Sequence, residues 1–384
     1  MQGVPVLSLS GELGAQKPTD APDGQVGCFM DTKKLENFQY IDSLRGWAVL
    51  GTFFVHLLTL NSIFNVQFPF VIERLLFLGQ FGVGLFFIVS AYTLTRSIDL
   101  RGGGNGSISS FFIRRFFRIA PAYYLFLASA ILIFPNGVAA FSHPEEDMIG
   151  SGNILLHLIF VNGFYPYSVN NILGVEWTIA VEVLFYCLLP FLFTINNKRM
   201  VVLFILSFAV MLVVPVMRKF FNIDTVYAFW LHFSLLEWGV YFILGILLYK
   251  NREFDIFCKK LFSERLLLAG GGAFLVLVGI YGSFGIEKIS MLFLMAYLFI
   301  VLKYKSPIVL DNTIIAFLGK ISFSFYLSHY LIIRFAVDYS DILQFGFYGT
   351  VFLVFCISFI VAFVSYKIIE LPFMRLGGSL IRRI

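Results

Sequence analysis

The sequence predicts an all-α, polytopic integral membrane protein with about ten transmembrane helices and one short re-entrant or interfacial segment. Three observations support that fold class. Of 384 residues, 59% are hydrophobic and 13% are charged, where a soluble domain carries roughly 25% charged residues. Apolar runs of about membrane length recur from residue 41 to residue 366. Lysine and arginine are distributed unevenly between alternate loops, so the formal charge of +5 reads as a topology signal. No DNA- or RNA-binding motif accompanies that charge, so nucleic acid is not an expected partner.

Residues 1–40 are polar and rich in Gly and Pro, with a short apolar patch at Val4 to Leu9. The patch is too short for a cleaved signal and lacks a basic lead-in, so a disordered cytoplasmic tail is expected. Apolar runs follow at 41–61, 79–95, 116–134, 152–164, 177–195, 200–217, 228–249, 266–283, 286–302, 314–335 and 346–366. The fourth is short for a crossing. If it dips in without crossing, the basic loops fall on the side of the N-terminus. Arg74, Arg218, Lys219 and Lys288 are then left outside, with the acidic connector His143 to Asp147. Both termini are then cytoplasmic, with a membrane domain at 41–375 and a short tail at 376–384. The run at 286–302 is the weakest span because Glu287 and Lys288 trim it. Cys28, Cys187, Cys258 and Cys356 show no paired spacing, so neither a disulfide framework nor a metal site is expected.

Four constellations could carry chemistry. The run Ile41 to Asn61 holds Asp42, Arg45 and His56. Eleven helical residues bring Arg45 and His56 to within roughly 20° of one face, about 16 Å apart along the axis. Ionisable groups at membrane depth are costly and mark sites, although Arg45 could simply snorkel and His56 could bond to a neighbouring backbone. An imidazole can act as a general base toward a hydroxyl or can itself carry an acyl group. Asp42, one turn before Arg45, is placed to pair with it.

The second is Phe111 to Tyr124, FFIRRFFRIAPAYY, where Arg114, Arg115 and Arg118 cluster at i,i+3 and i,i+4 spacing. Guanidinium groups suit phosphate, and positive-inside topology is the alternative reading. The preceding glycine loop, Arg101 to Ser107, could approach a phosphate or serve as a linker. The third is Gly174 to Pro190. Glu176 stands there as a helix-entrance cap, and Glu182 lies two turns deeper and needs a proton or a partner, His56 or an arginine. The fourth is Leu318 to Phe335, where Ser322, Ser324, Ser328 and His329 punctuate an aromatic helix. His232 and Glu237 are of lower interest, and His157 lies in the segment expected to be re-entrant or interfacial.

These pieces resemble the acyltransferase-3 family of integral membrane acyltransferases. The matches run in order through IDSLRGWAVLGTFFVH, FGVGLFFIVSAYTL, RRFFRIAPAYY, EWTIAVEVLFY, LGKISFSFYLSHYLI and YKIIELPF. The resemblance implies functional roles for Arg45, His56, Arg115, Arg118 and Glu182, with Arg114 assisting at the donor site. It implies acyl-CoA, by family habit acetyl-CoA, as cytoplasmic donor, and a hydroxyl of a surface glycan or its lipid-linked precursor as acceptor. A bacterial inner or plasma membrane follows as the expected location. Two departures stand out. VSAY replaces ISGF, so Ala91 takes the place of a close-packing Gly, and no SGNH-type domain follows the last helix. A transporter or flippase for a lipid-linked glycan is the rival reading, against which no internal repeat or paired broken helices are evident.

Overall fold

Each apolar run settles its polar residues by packing them inward, and the helix arrangement follows from that. The computed structural model describes residues 39–383, except 59, 61–63, 65, 102–104, 136–148, 262–264, 283 and 340–344. Nearly all of the expected N-terminal tail, Cys28, the centre of the glycine loop and the acidic connector at 143–147 therefore lie outside the described residues.

The chain runs through α1 (Gln39–His56), α2 (Phe70–Leu78), α3 (Gly82–Asp99), α4 (Asn105–Ile133) and the short α5 (Ser151–Leu158). Two 3-10 turns lead into α6 (Trp177–Thr194), α7 (Asn197–Phe220), α8 (Thr225–His232), α9 (Leu235–Lys250) and α10 (Arg252–Leu261). Next come α11 (Arg265–Tyr281), α12 (Phe284–Lys305), α13 (Thr313–Lys320), α14 (Ser322–Asp338), α15 (Gly346–Ser365) and α16 (Leu371–Ile381). Among the described residues there is no strand.

Among the described residues, six stretches are long and apolar enough to cross a membrane: Phe70–Asp99, Ile108–Ile133, Trp177–Thr194, Asn197–Phe220, Thr225–Lys250 and Gly346–Ile381. A seventh is added if α13 and α14, bent by 76°, form one broken span. With that pair counted, three of the ten expected spans fall short among the described residues. α1 carries Asp42, Arg45 and His56 along 18 residues. α12 begins with Glu287 and ends with Lys303 and Lys305, and the run at 266–283 leaves a shorter apolar helix over Gly271–Tyr281. The segment at 152–164 forms the eight-residue α5, about 12 Å long, too short to cross.

Burial orders the helices. α9 is buried almost continuously from Glu237 to Leu248, as expected of a helix that is apolar on every side. In α7, by contrast, 11% of the apolar window is buried, so most of it faces outward. α1 and α13 approach closely because Gly46 and Gly319 face each other's backbones. A Cβ on either would run into the carbonyl of Ile315 or Asp42. Ser43 Oγ donates to Asp311 at 2.7 Å and Trp47 Nε1 to the Leu310 carbonyl at 2.8 Å, which fixes the start of α1 and with it Arg45. Ala91 on α3 keeps a small-residue contact through Gly245 of α9, where a Cβ would lie 2.8 Å from the alanine methyl.

The last span contains a π-helical turn, Tyr366–Glu370, just before Pro372. Proline cannot donate to the preceding turn and its ring crowds the carbonyl four residues back, so the helix widens locally. Glu370, 2% exposed, accepts from the Ser324 N–H and hydroxyl. It thereby satisfies one of the orphan amides at the start of α14.

Candidate active site

The start of α1, the middle of α3, the first half of α4, α6 and the start of α14 converge on a cavity. Arg45, Ser90, Arg115, Arg118, Glu182 and Tyr186 all line it, together with Thr178, Ser322 and Tyr326. Arg115 and Arg118 share one face of α4. Arg114, turned away by about 100° from Arg115, is not among the lining residues. The expected basic cluster is thus divided, with two of its three arginines at the cavity and Arg45 added from α1.

Glu182 accepts the Ser90 hydroxyl at 2.6 Å, and Tyr186 lies beside both Glu182 and Arg115. Among the described residues no ion pair of 4 Å or less links Glu182 to an arginine, and Arg45 pairs with Asp42 at 3.7 Å as expected. Arg115 Nε is buried without a hydrogen-bond partner. Three guanidiniums against one carboxylate leave the cavity with an excess of positive charge, suited to an anionic ligand. About 70 Å³ is open to water-sized molecules, the room of a few waters or of a small acyl tip.

His56 does not line this cavity. Its ring packs against His329 (centroids 5.2 Å) and Tyr330 (4.7 Å) on α14. No hydrogen bond or ion pair joins it to Glu182 among the described residues, so of the two partners expected for Glu182, His56 or an arginine, His56 is instead among the α14 rings and the carboxylate bonds Ser90. His329 Nδ1 lies 2.7 Å from the Tyr326 carbonyl. A bond there requires the proton on Nδ1, which leaves Nε2 as a buried acceptor without a hydrogen-bond partner. Tyr326, at the cavity wall, and Tyr330, at His56, stand one turn apart on α14. That helix therefore connects the arginine cavity with the imidazole. Gly174, at φ +79°, allows the Tyr330 ring to sit against the loop before α6, where a Cβ would collide with it.

Glu176 stands at the N-cap position of α6, but its carboxylate bonds the preceding loop rather than the helix's own amides. It is fully buried and accepts from the Ile172 N–H at 2.7 Å and the Val175 N–H at 2.9 Å, with His157 Nε2 at 3.5 Å. His157, unremarkable in sequence, is therefore a partner that holds this loop against the membrane core. Ser90, Thr178, Tyr186 and Tyr326 were not singled out from sequence. Tyr186 was legible as the residue four after Glu182, on the same face. Ser90 was legible as a hydroxyl inside the apolar run FFIVSAY.

The decisive comparison is with family profiles. The acyltransferase-3 profile, described as an acyltransferase domain, matches residues 38–367. The chain belongs to the acyltransferase-3 family. Among its relatives, ORF330 of Acidianus two-tailed virus, which carries an acetyltransferase name, is 28% identical over 308 residues, 76% of this chain and 82% of that one. A Staphylococcus aureus (strain COL) protein with an O-acetyltransferase name is 26% identical over 388 residues, 91% of this chain and 59% of its own length. The peptidoglycan O-acetyltransferase OatA of Listeria monocytogenes is 25% identical over 346 residues, 78% of this chain and 52% of OatA. The alignments thus span little more than half of these two longer bacterial relatives. No solved structure matches the chain. As a member of this family the chain is an acyltransferase, and its helices make it a multi-pass membrane protein.

Proposed function

We propose that this acyltransferase moves an acyl group, acetyl by analogy with its relatives' names, from cytoplasmic acyl-CoA to a hydroxyl of a cell-surface glycan or its lipid-linked precursor. The observation that carries this reading is the convergence of Arg45, Arg115, Arg118 and Glu182 on one cavity from three separate helices. The arginine cavity holds the phosphate-bearing donor, with the excess of positive charge facing it. The opening is too small for a nucleotide, so the nucleotide end stays at the cytoplasmic mouth and the thioester end enters. Both termini are cytoplasmic in this reading, and ten spans cross if α1, α11, α12 and the bent pair α13–α14 are counted with the six.

His56 is the reacting group at the far end of α14's face. In one route it removes the proton of the acceptor hydroxyl as that oxygen attacks the thioester carbonyl, and CoA leaves as the thiol. In the other, an imidazole nitrogen attacks the thioester carbonyl and CoA leaves as the thiol; the acceptor oxygen then attacks the acyl-imidazole, and the imidazole leaves with the hydroxyl proton. Arg114 stabilises the donor from outside the cavity, and Glu182 fixes the Ser90 hydroxyl and balances the guanidiniums.

The test is cellular. Membranes carrying wild type or His56→Ala at equal abundance are compared for alkali-labile acetate released from surface polymers. Wild type raises that acetate and His56→Ala returns it to background. Equal acetate in both contradicts the proposal.

A further inference from the structure

A second cavity, of about 420 Å³, shares no lining residue with the arginine cavity. It lies between the α2–α3 junction, the end of α7, α8, the first turns of α9 and the start of α12. Its charged wall is balanced, with Arg218 and Lys288 facing Glu237 and Glu287. Those charges are also committed to one another. Arg218 donates to the Ala228 carbonyl at 2.7 Å and lies 3.8 Å from Glu237. Lys288 pairs with Glu237, His232 Nδ1 lies 3.1 Å from it, and Glu287 pairs with Arg74 at 2.8 Å.

Two polar atoms on this wall make no hydrogen bond. Glu237 Oε2, which has Arg218 Nη2 at 3.8 Å as an ion-pair neighbour, and the Tyr241 hydroxyl are buried with no hydrogen-bond partner, on side chains 3% and 2% exposed. They are four residues apart on α9 and share its face. Buried polar groups are normally paired, so an acceptor and a donor left side by side point to a ligand that supplies both roles. An alcohol does so. Its O–H donates to the carboxylate, and its oxygen accepts from the phenol. A phosphate would meet the Glu237 charge and find no uncommitted cation there. Trp238 and Phe81, ring centroids 6.5 Å apart, add flat apolar surface suited to the carbon face of a sugar. The Tyr241 ring is fixed by Gly84, where a Cβ would lie 2.5 Å from it.

The two cavities are one ring layer apart. Phe87 lines the arginine cavity and Trp238 lines the second, with centroids 6.0 Å apart and Trp177 touching both. We propose that the second cavity binds a neutral, hydroxyl-rich ligand through Glu237 Oε2 and the Tyr241 hydroxyl. Its assignment as the entry site of the glycan acceptor rests on the acyl-transfer reading above.

The test uses the full chain in lipid nanodiscs, without acyl donor, and follows tryptophan fluorescence. Three neutral trisaccharides (maltotriose, cellotriose and chitotriose) are titrated alongside glucose 6-phosphate. At least one neutral saccharide gives a saturable change. Tyr241→Phe, which keeps the ring and removes one hydroxyl, weakens it about fivefold to tenfold. Glu237→Gln, checked for monodispersity, weakens it more, and glucose 6-phosphate binds less tightly than the neutral sugar. No saturable response to any neutral saccharide, an unchanged affinity in Tyr241→Phe, or tighter binding of the phosphate overturns the site. Because no donor is present, failure of acyl transfer leaves this readout standing. Saccharide binding with no transfer by the wild type overturns the acceptor assignment alone.

Discussion

Glu182 faces three guanidiniums, yet its hydrogen bond goes to the Ser90 hydroxyl. That arrangement separates two roles that the sequence had merged. The carboxylate tempers the positive charge of the cavity, and Ser90 fixes its rotamer. Glu182→Gln keeps an oxygen for Ser90 and removes the charge. Binding of an anionic donor is therefore expected to tighten a few-fold while turnover falls at least about tenfold, the loss of one charge-assisted contact. Isothermal titration of acetyl-CoA beside a transfer assay checks the split; equal losses in both would point to a merely structural role. At this scale the sequence was informative wherever a charge sat in an apolar run. Arg45, Arg115, Arg118 and Glu182 were found that way and share one cavity. It was less informative about partners. Charge alone left the partner of Glu182 open between His56 and an arginine, because helix periodicity gives the face of a residue but not the neighbour across it. His157 was set aside because its segment was expected not to cross, and Tyr241 was passed over because a buried polar group is recognised by its surroundings.

Among the elements, the break between α13 and α14 positions the site. α13 packs on α1 through Gly46 and Gly319 and so places Arg45. The chain then bends by 76° and α14 carries Tyr326 past the cavity toward His56. The beginning of α14 is held from another element, by Glu370 of the π turn bonding to Ser324. Glu370→Ala leaves the Ser324 amide unsatisfied in a buried place and its hydroxyl with Ser365 alone, at 2.9 Å. The expected cost is about 2 kcal/mol, read as a lowered thermal midpoint in detergent, with Glu370→Gln intermediate. A midpoint within a degree of wild type would contradict this role. Most helices were legible because long apolar runs have few alternatives in a bilayer. α2 was not. Glu73 and Arg74 masked the first turns of what became the Phe70–Asp99 span; Glu73 stays exposed there, and Arg74 is taken by Glu287 of α12.

For the whole molecule, the fold class followed from composition and the span count did not. Counting runs gave ten crossings. Among the described residues, length and apolarity give six or seven, because α1 and α12 spend part of their length on charges that the interior requires and α11 leaves a shorter apolar stretch over Gly271–Tyr281. Three cations assigned to outer loops, Arg74, Arg218 and Lys288, are in ion pairs around the second cavity. They are therefore structural as well as topological. The molecule thus carries a cationic cavity and a charge-balanced one on either side of a layer of aromatic rings, an arrangement suited to joining an anionic donor to a neutral alcohol. The central claim is that Arg115 and Arg118 hold the donor. Equilibrium binding of labelled acetyl-CoA to the full chain in nanodiscs, without acceptor, tests it most directly. Arg115→Gln and Arg118→Gln should each weaken binding by roughly tenfold to a hundredfold relative to wild type. Unchanged affinity in both variants, each folded and monodisperse, would contradict the account.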